Sequence, residues 1–178
     1  MGKIIFVLGG VKSGKTLYAV NRAKRIGSSV TYLATAIAGD KEMKTKIGEH
    51  KKMRPKNWGT IEEPFDLLDK IRRITTKVII VDCINFWLTN FLSSSSHQVV
   101  QGFSPASYIG TLCKYLKKRK NSKINTTFII SNEVGLSLVP PNRTGRQFQD
   151  LLGRVNQVIA NYSDEIYFLV AGIPLELK

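Results

Sequence analysis

The chain has 178 residues, 43% of them hydrophobic and 22% charged, and a formal net charge of +14. That length fits one compact domain with a sizeable buried core, and no apolar run approaches the length of a bilayer-spanning helix. The two cysteines, Cys83 and Cys113, lack the number and spacing of a disulfide framework or metal site, which fits reduced thiols in a cytoplasmic protein.

Short β-rich runs alternate with helical patterns, the mark of a mostly parallel α/β sheet with helices on both faces. Residues 4–8 form a near-continuous apolar run, too short for a signal-peptide core and leading into glycines. A helix is predicted over 15–26, a strand over 30–35, a helix over 40–53 with Asp40 as its N-cap, and a short strand over 60–62. A helix over 65–74, a strand over 78–82 and a helix over 84–92 follow. Ser93–Ser96 opens a polar stretch to Ser107 that reads as a surface loop. Beyond it come a helix over 105–120, a strand over 127–131, the Pro140-Pro141 pair, a helix over 142–162 and a strand over 166–170. The 142–162 helix is the clearest, with Phe148, Leu151, Leu152, Val155, Val158, Ile159 and Tyr162 on one stripe. No internal repeat and no second domain is expected.

The segment Gly9-Gly10-Val11-Lys12-Ser13-Gly14-Lys15-Thr16 matches G-x-x-x-x-G-K-[ST] between a predicted strand and a predicted helix. Glycines let backbone N–H groups converge on phosphate oxygens, and the following helix turns the positive end of its dipole toward them. Lys15 is placed to reach the β- and γ-phosphates, and the Thr16 hydroxyl to hold Mg²⁺. The strand over 78–82 ends in Asp82, the Walker B pattern, whose expected job is to hold Mg²⁺ or its waters. These features predict a RecA-like P-loop NTPase.

Met43, Ile47 and His50 share one face of the 40–53 helix. A lone histidine at the end of an apolar stripe is usually structural, but Lys51, Lys52 and Arg54 surround this one with cations, and Pro55 ends the helix. A neutral imidazole is a nucleophile near physiological pH, and adjacent cations stabilise an attacked phosphate. His97, in the serine-rich loop, has no such company. A second basic cluster, Lys114, Lys117, Lys118, Arg119, Lys120 and Lys123, lacks the interleaved aromatics of a single-strand nucleic-acid platform and reads as a solvated face. From the residues alone, a simple P-loop small-molecule kinase with a structural His50 stays open. A RecA-like nucleic-acid ATPase stays open too, although no recognisable nucleic-acid-binding motif supports it.

Taken in order, these residues resemble the bifunctional adenosylcobinamide kinase / adenosylcobinamide-phosphate guanylyltransferase family of cobalamin biosynthesis. The resemblance covers residues 9–16, Tyr32-Leu33-Ala34-Thr35, and Asp40 through Ile47, His50, Arg54-Pro55 and Trp58. It continues through Asp82-Cys83, Trp87-Leu88-Thr89-Asn90, Asn132-Glu133-Val134-Gly135, Val139-Pro140, Asn142-Arg143, Gly153-Arg154 and Gly172-Ile173-Pro174. It implies two reactions: a nucleoside triphosphate such as ATP phosphorylates adenosylcobinamide, and GTP then transfers GMP to the resulting phosphate through a GMP-histidine intermediate at His50. By the same match Gly9–Thr16, Ala34, Thr35, Ala36, Lys51, Lys52, Met53, Arg54, Glu62 and Asp82 line the GTP site, with His50 and Lys15 as the catalytic pair. Glu62 and Asp82 are both able to accept from guanine or serve the metal, and the sequence does not divide those roles. The resemblance also implies a homotrimer, a corrinoid partner and no nucleic acid. Asn85, Ser137, Thr144-Gly145 and Gln149 depart from the family pattern, none of them in the phosphate loop or at the histidine.

Overall fold

The computed structural model describes residues 2–27, 29–93, 104–118 and 126–178. In chain order the elements are β1 (Lys3–Gly9), α1 (Lys15–Ile26), β2 (Val30–Ala34), α2 (Lys41–Lys52), β3 (Gly59–Glu62), α3 (Leu67–Arg73) and β4 (Val78–Asp82). They continue as α4 (Ile84–Ser93), α5 (Pro105–Lys118), β5 (Thr126–Asn132), α6 (Arg143–Tyr162), β6 (Glu165–Val170) and β7 (Ile173–Glu176). The strands form one seven-stranded sheet in the order β3-β2-β4-β5-β1-β6-β7. All neighbours pair in parallel except β6 and β7, which are antiparallel.

Alternation along β1 divides the core. Ile4, Phe6 and Leu8 face one side, where residues of α3, α4, α5 and α6 cover them. Ile5 and Val7 face the other, with Ala19, Val20 and Ala23 of α1. Both faces of the central strands are therefore buried, which is why those strands read as unbroken apolar runs. Each fully buried large aliphatic or aromatic side chain contributes roughly 1.5–3 kcal/mol. On α6, Leu152, Val155 and Ile159 are fully buried, on the stripe the helical spacing marks. Asn142 caps that helix, its side chain accepting from the Gly145 N–H.

The elements agree closely with the sequence expectations, with instructive differences. The 65–74 helix begins only at Leu67, because Asp66 acts as N-cap and accepts from the Asp69 N–H. Strand β7 was not expected: all four of its residues are exposed, and Pro174 sits inside it. A short edge strand tolerates proline because one side of its backbone has no partner. His97, Arg119, Lys120 and Lys123 lie outside the described residues. No helix among the described residues is long and apolar enough to cross a membrane.

Candidate active site

Strand β1 ends at Gly9, and the chain turns at once into a loop against the start of α1. Space dictates the glycines. A Cβ at Gly9 would lie 2.4 Å from Ser13 Oγ and 2.8 Å from the Leu169 carbonyl oxygen. Gly14 has φ of 91°, in the left-handed region, and a Cβ there would sit 3.1 Å from Gly172 Cα. Lys12 also takes a left-handed φ, 55°. The loop is drawn closed by Ser13 N–H donating to the Gly10 carbonyl at 3.3 Å, and Gly172 N–H donating to the Ser13 carbonyl at 2.9 Å. Lys15 Nζ folds back to donate to the Gly10 carbonyl at 2.9 Å. Burial pulls the Lys15 ammonium below its ordinary value, with Cys83 and Asp82 opposing. Helix α1 starts behind Gly14, with no acidic residue in its first turn and no side-chain cap among the described residues. Its first N–H groups and its dipole are left for an anion.

The sheet brings three more candidates level with one another. Asp82 at the end of β4 pairs with Ala34 of β2, and Ala34 pairs with Glu62 of β3. Asp82 is buried, and its Oδ2 gathers several partners: it accepts from the Tyr32 hydroxyl, and from Thr16 Oγ1 at 3.2 Å. His50 Nδ1 stands 3.5 Å from the same oxygen. Burial alone raises the Asp82 pKa, but His50, Tyr32 and Thr16 outweigh it and hold the carboxyl below its usual range. Asp82 is thus an ionised acceptor beside the phosphate loop.

Helix α2 carries His50 in its last turn, with Asp40 as N-cap accepting from the Met43 N–H at 2.7 Å. None of its described residues is fully buried, so its end is secured by specific contacts. Lys51 Nζ donates to Glu62 Oε1 at 2.7 Å. The Arg54 guanidinium lies over the Tyr32 ring, 3.4 Å from Cζ to the centroid, and donates to Thr60 Oγ1 at 3.3 Å. Such a stacked cation is worth about 0.5–2 kcal/mol. Between Lys51, Arg54, Trp58, Thr60 and Glu62 lies an open cavity of about 420 Å³, large enough for a nucleobase.

Most residues singled out in the sequence therefore converge on one sheet edge: residues 9–16, Ala34, His50, Lys51, Arg54, Glu62 and Asp82. Ala36 is half-buried just beyond β2, and Lys52 and Met53 are exposed at the end of α2. Thr35 is placed differently. It is fully buried, its hydroxyl donating to the Cys83 carbonyl at 2.7 Å and accepting from the Cys83 N–H at 2.9 Å. Its side chain is committed to holding the chain after Asp82. Tyr32 is the residue that sequence reasoning left without a role. The available signal was a tyrosine inside an apolar strand, whose buried hydroxyl needs a partner.

The donors fit a magnesium ion. Thr16 Oγ1 and Asp82 Oδ2 are both oxygens, 3.2 Å apart, close to the roughly 2.9 Å between adjacent ligands of an octahedral ion with 2.0–2.1 Å bonds. Among the described residues no group of three His, Cys, Asp or Glu could hold a metal.

The chain is similar to the bifunctional adenosylcobalamin biosynthesis protein CobP of Pseudomonas aeruginosa, 37% identical over 174 residues, 97% of this chain and 95% of that one. It is 30% identical to the bifunctional adenosylcobalamin biosynthesis protein CobU of Escherichia coli over 189 residues, 98% of this chain and 99% of that one. Among solved structures, an ATPase of the type III secretion system of pathogenic bacteria superposes with a TM-score of 0.50 at 14% identity, over 96% of this chain and 51% of that one. That likeness shows a shared P-loop fold. The model of the cobinamide kinase / cobinamide phosphate guanyltransferase family matches residues 5–177, and the chain belongs to that family.

Proposed function

We propose that this chain phosphorylates adenosylcobinamide with a nucleoside triphosphate, and then transfers GMP from GTP to the resulting phosphate by way of His50. The observation that carries the reading is the position of His50, 3.5 Å from Asp82 and at the edge that holds the phosphate loop. In the transfer, the Nε2 lone pair attacks the α-phosphorus, and the bond from that phosphorus to the bridging oxygen breaks. Pyrophosphate departs with the electron pair. An oxygen of the acceptor phosphate then attacks the same phosphorus, the P–N bond breaks, and the new phosphoanhydride leaves with GMP. Asp82, facing Nδ1, orients the ring and offsets the positive charge it gains. The loop N–H groups and Lys15 hold the phosphates that depart. Thr16 and Asp82 would hold Mg²⁺, which would supply charge neutralisation to the phosphates.

The guanine is assigned to the cavity between Arg54, Trp58 and Glu62, where Glu62 accepts from guanine N1–H and the N2 amino group and Lys51 stays paired to it. The chain acts as one P-loop domain, in the cytoplasm, as a homotrimer. The test is incubation with GTP labelled on its α-phosphate. Acid-labile, alkali-stable label on the protein, lost in His50→Ala, is expected. Equal labelling of the variant would refute His50 as the nucleophile, and no acid-labile label on the wild-type chain would refute the transfer step and leave a small-molecule kinase.

A further inference from the structure

The segments that leave β1, β5 and β6 emerge side by side, because Gly9 is level with both Asn132 and Leu169. The one after β5 carries Leu136, Leu138 and Val139, which are 79%, 92% and 74% exposed. Val11 of the phosphate loop and Ile173 at the start of β7 are exposed on the neighbouring segments. The apolar side chains of this loop are held out by a built framework. Ser137 donates to the Val134 carbonyl from its N–H at 3.2 Å and from Oγ at 2.6 Å. Gln149 Nε2 donates to the same carbonyl at 2.7 Å. Arg146 donates to the carbonyls of Pro140 and Pro141 at 3.0 and 2.7 Å. Glu133 N–H donates to the Gly9 carbonyl at 3.2 Å, tying the loop to the phosphate cradle.

Large aliphatic side chains clustered in water on an ordered loop mark a binding surface. We propose that this rim is the platform for the corrinoid acceptor, a broad macrocycle whose peripheral methyl groups can pack on these side chains. The assignment rests on the proposed function, which makes a corrinoid the second substrate. Its aminopropanol end is the part that reacts, so that end must reach the cradle while the ring rests beside it. The cavity of about 420 Å³ at the end of α2 is of nucleobase size and cannot take the macrocycle. The rim adjoins the phosphate loop through the Glu133–Gly9 bond. A preorganised surface of this kind loses little conformational entropy on binding.

The test uses the full chain and the variant Leu136→Ser/Leu138→Ser/Val139→Ser. Cobinamide itself is the probe, its visible absorbance followed in equilibrium dialysis. Protein labelling by α-labelled GTP and mass by light scattering are measured on the same samples. The variant is expected to label normally, to keep its mass, and to bind cobinamide at least about tenfold more weakly. An unchanged dissociation constant overturns the platform. So does a fall in mass that accompanies weaker binding, since the rim then belongs to a contact between copies of the chain. If the triple variant fails to label, the single Leu138→Ser variant takes its place, with an expected weakening of about threefold. A wild-type chain that labels with GTP yet does not bind cobinamide overturns the platform alone. A wild-type chain that takes no label overturns the transfer reading.

Discussion

His50 Nδ1 stands 3.5 Å from Asp82 Oδ2, so a side chain from the last turn of a surface helix reaches the end of a fully buried strand. The contact decides which ring nitrogen is available. With Nδ1 turned to a carboxylate that is held ionised, Nε2 is left pointing away with its lone pair. Asp82→Asn keeps the shape and removes the charge. Transfer of label from α-labelled GTP to the protein is expected to slow by about a hundredfold or more, read by quenching timed reactions in alkali.

Tyr32 serves two neighbours at once, its hydroxyl on Asp82 and its ring under Arg54. The phenol is pushed well above its ordinary value, first by burial and then by the Asp82 charge, so it stays a donor at every physiological pH. Tyr32→Phe removes only the hydroxyl, and is expected to cost about 1 kcal/mol while leaving the Arg54 stack in place. Tyr32→Ala removes the seat of Arg54 as well and is expected to cost about 3–5 kcal/mol. Urea unfolding midpoints separate the two. The phenylalanine variant should also label several-fold more slowly than wild type at equal fraction folded.

Asn90 lies buried on α4 and ties two loops of the site from below. Its Nδ2 donates to the Thr35 carbonyl at 2.7 Å and to the Pro64 carbonyl at 3.1 Å. Asn90→Ala strands both carbonyls and leaves a gap. The expected loss is about 1–3 kcal/mol, which lowers Tm by about 2–4 °C per kcal/mol in a chain of this size. Differential scanning calorimetry measures it. A shift under one degree would mean that water replaces the amide without cost.

Acid should destabilise the chain through its N-terminal strand. Asp164 accepts from the Ile4 N–H at 2.8 Å and pairs with Lys117. Burial raises its pKa, but Lys117 and the Ile4 N–H prevail and hold it below its ordinary value. Glu165 is held low in the same way by Lys3, Tyr167 and Arg22. A carboxyl lowered in the folded state stabilises above its unfolded value, near 4, and that stabilisation is lost as pH falls through the folded one. Asp164→Asn should therefore cost about 0.5–1 kcal/mol at pH 7, given its partial exposure, and progressively less as pH falls below about 4. Denaturant unfolding between pH 3 and pH 7 would show the two curves converging at the acid end.

Much of the molecule was legible before any fold was known, and for local reasons. Unbroken apolar runs mark strands buried on both faces, and five of them became the central strands of this sheet. The glycines at 9 and 14 are required by contacts that a Cβ would violate, a constraint carried in eight consecutive residues. Asp40 and Asn142 cap their helices through bonds only three residues long. Strand β7 was hidden because it is an edge segment of only four residues, every one exposed, with Pro174 inside it.

What the amino-acid order determined by itself was the set of parts: strands, helices, a phosphate loop, a histidine among cations, and an acid at a strand end. Periodicity, capping and backbone sterics act over a few residues and can be read along the chain. Only the tertiary structure decided which parts meet. The parallel register that levels Asp82, Ala34 and Glu62 is set by packing across the whole sheet. So are the burial of Thr35 and the convergence of Thr16, Tyr32 and His50 on one carboxylate oxygen. Such contacts depend on distances between residues far apart in the chain, and no local pattern records them.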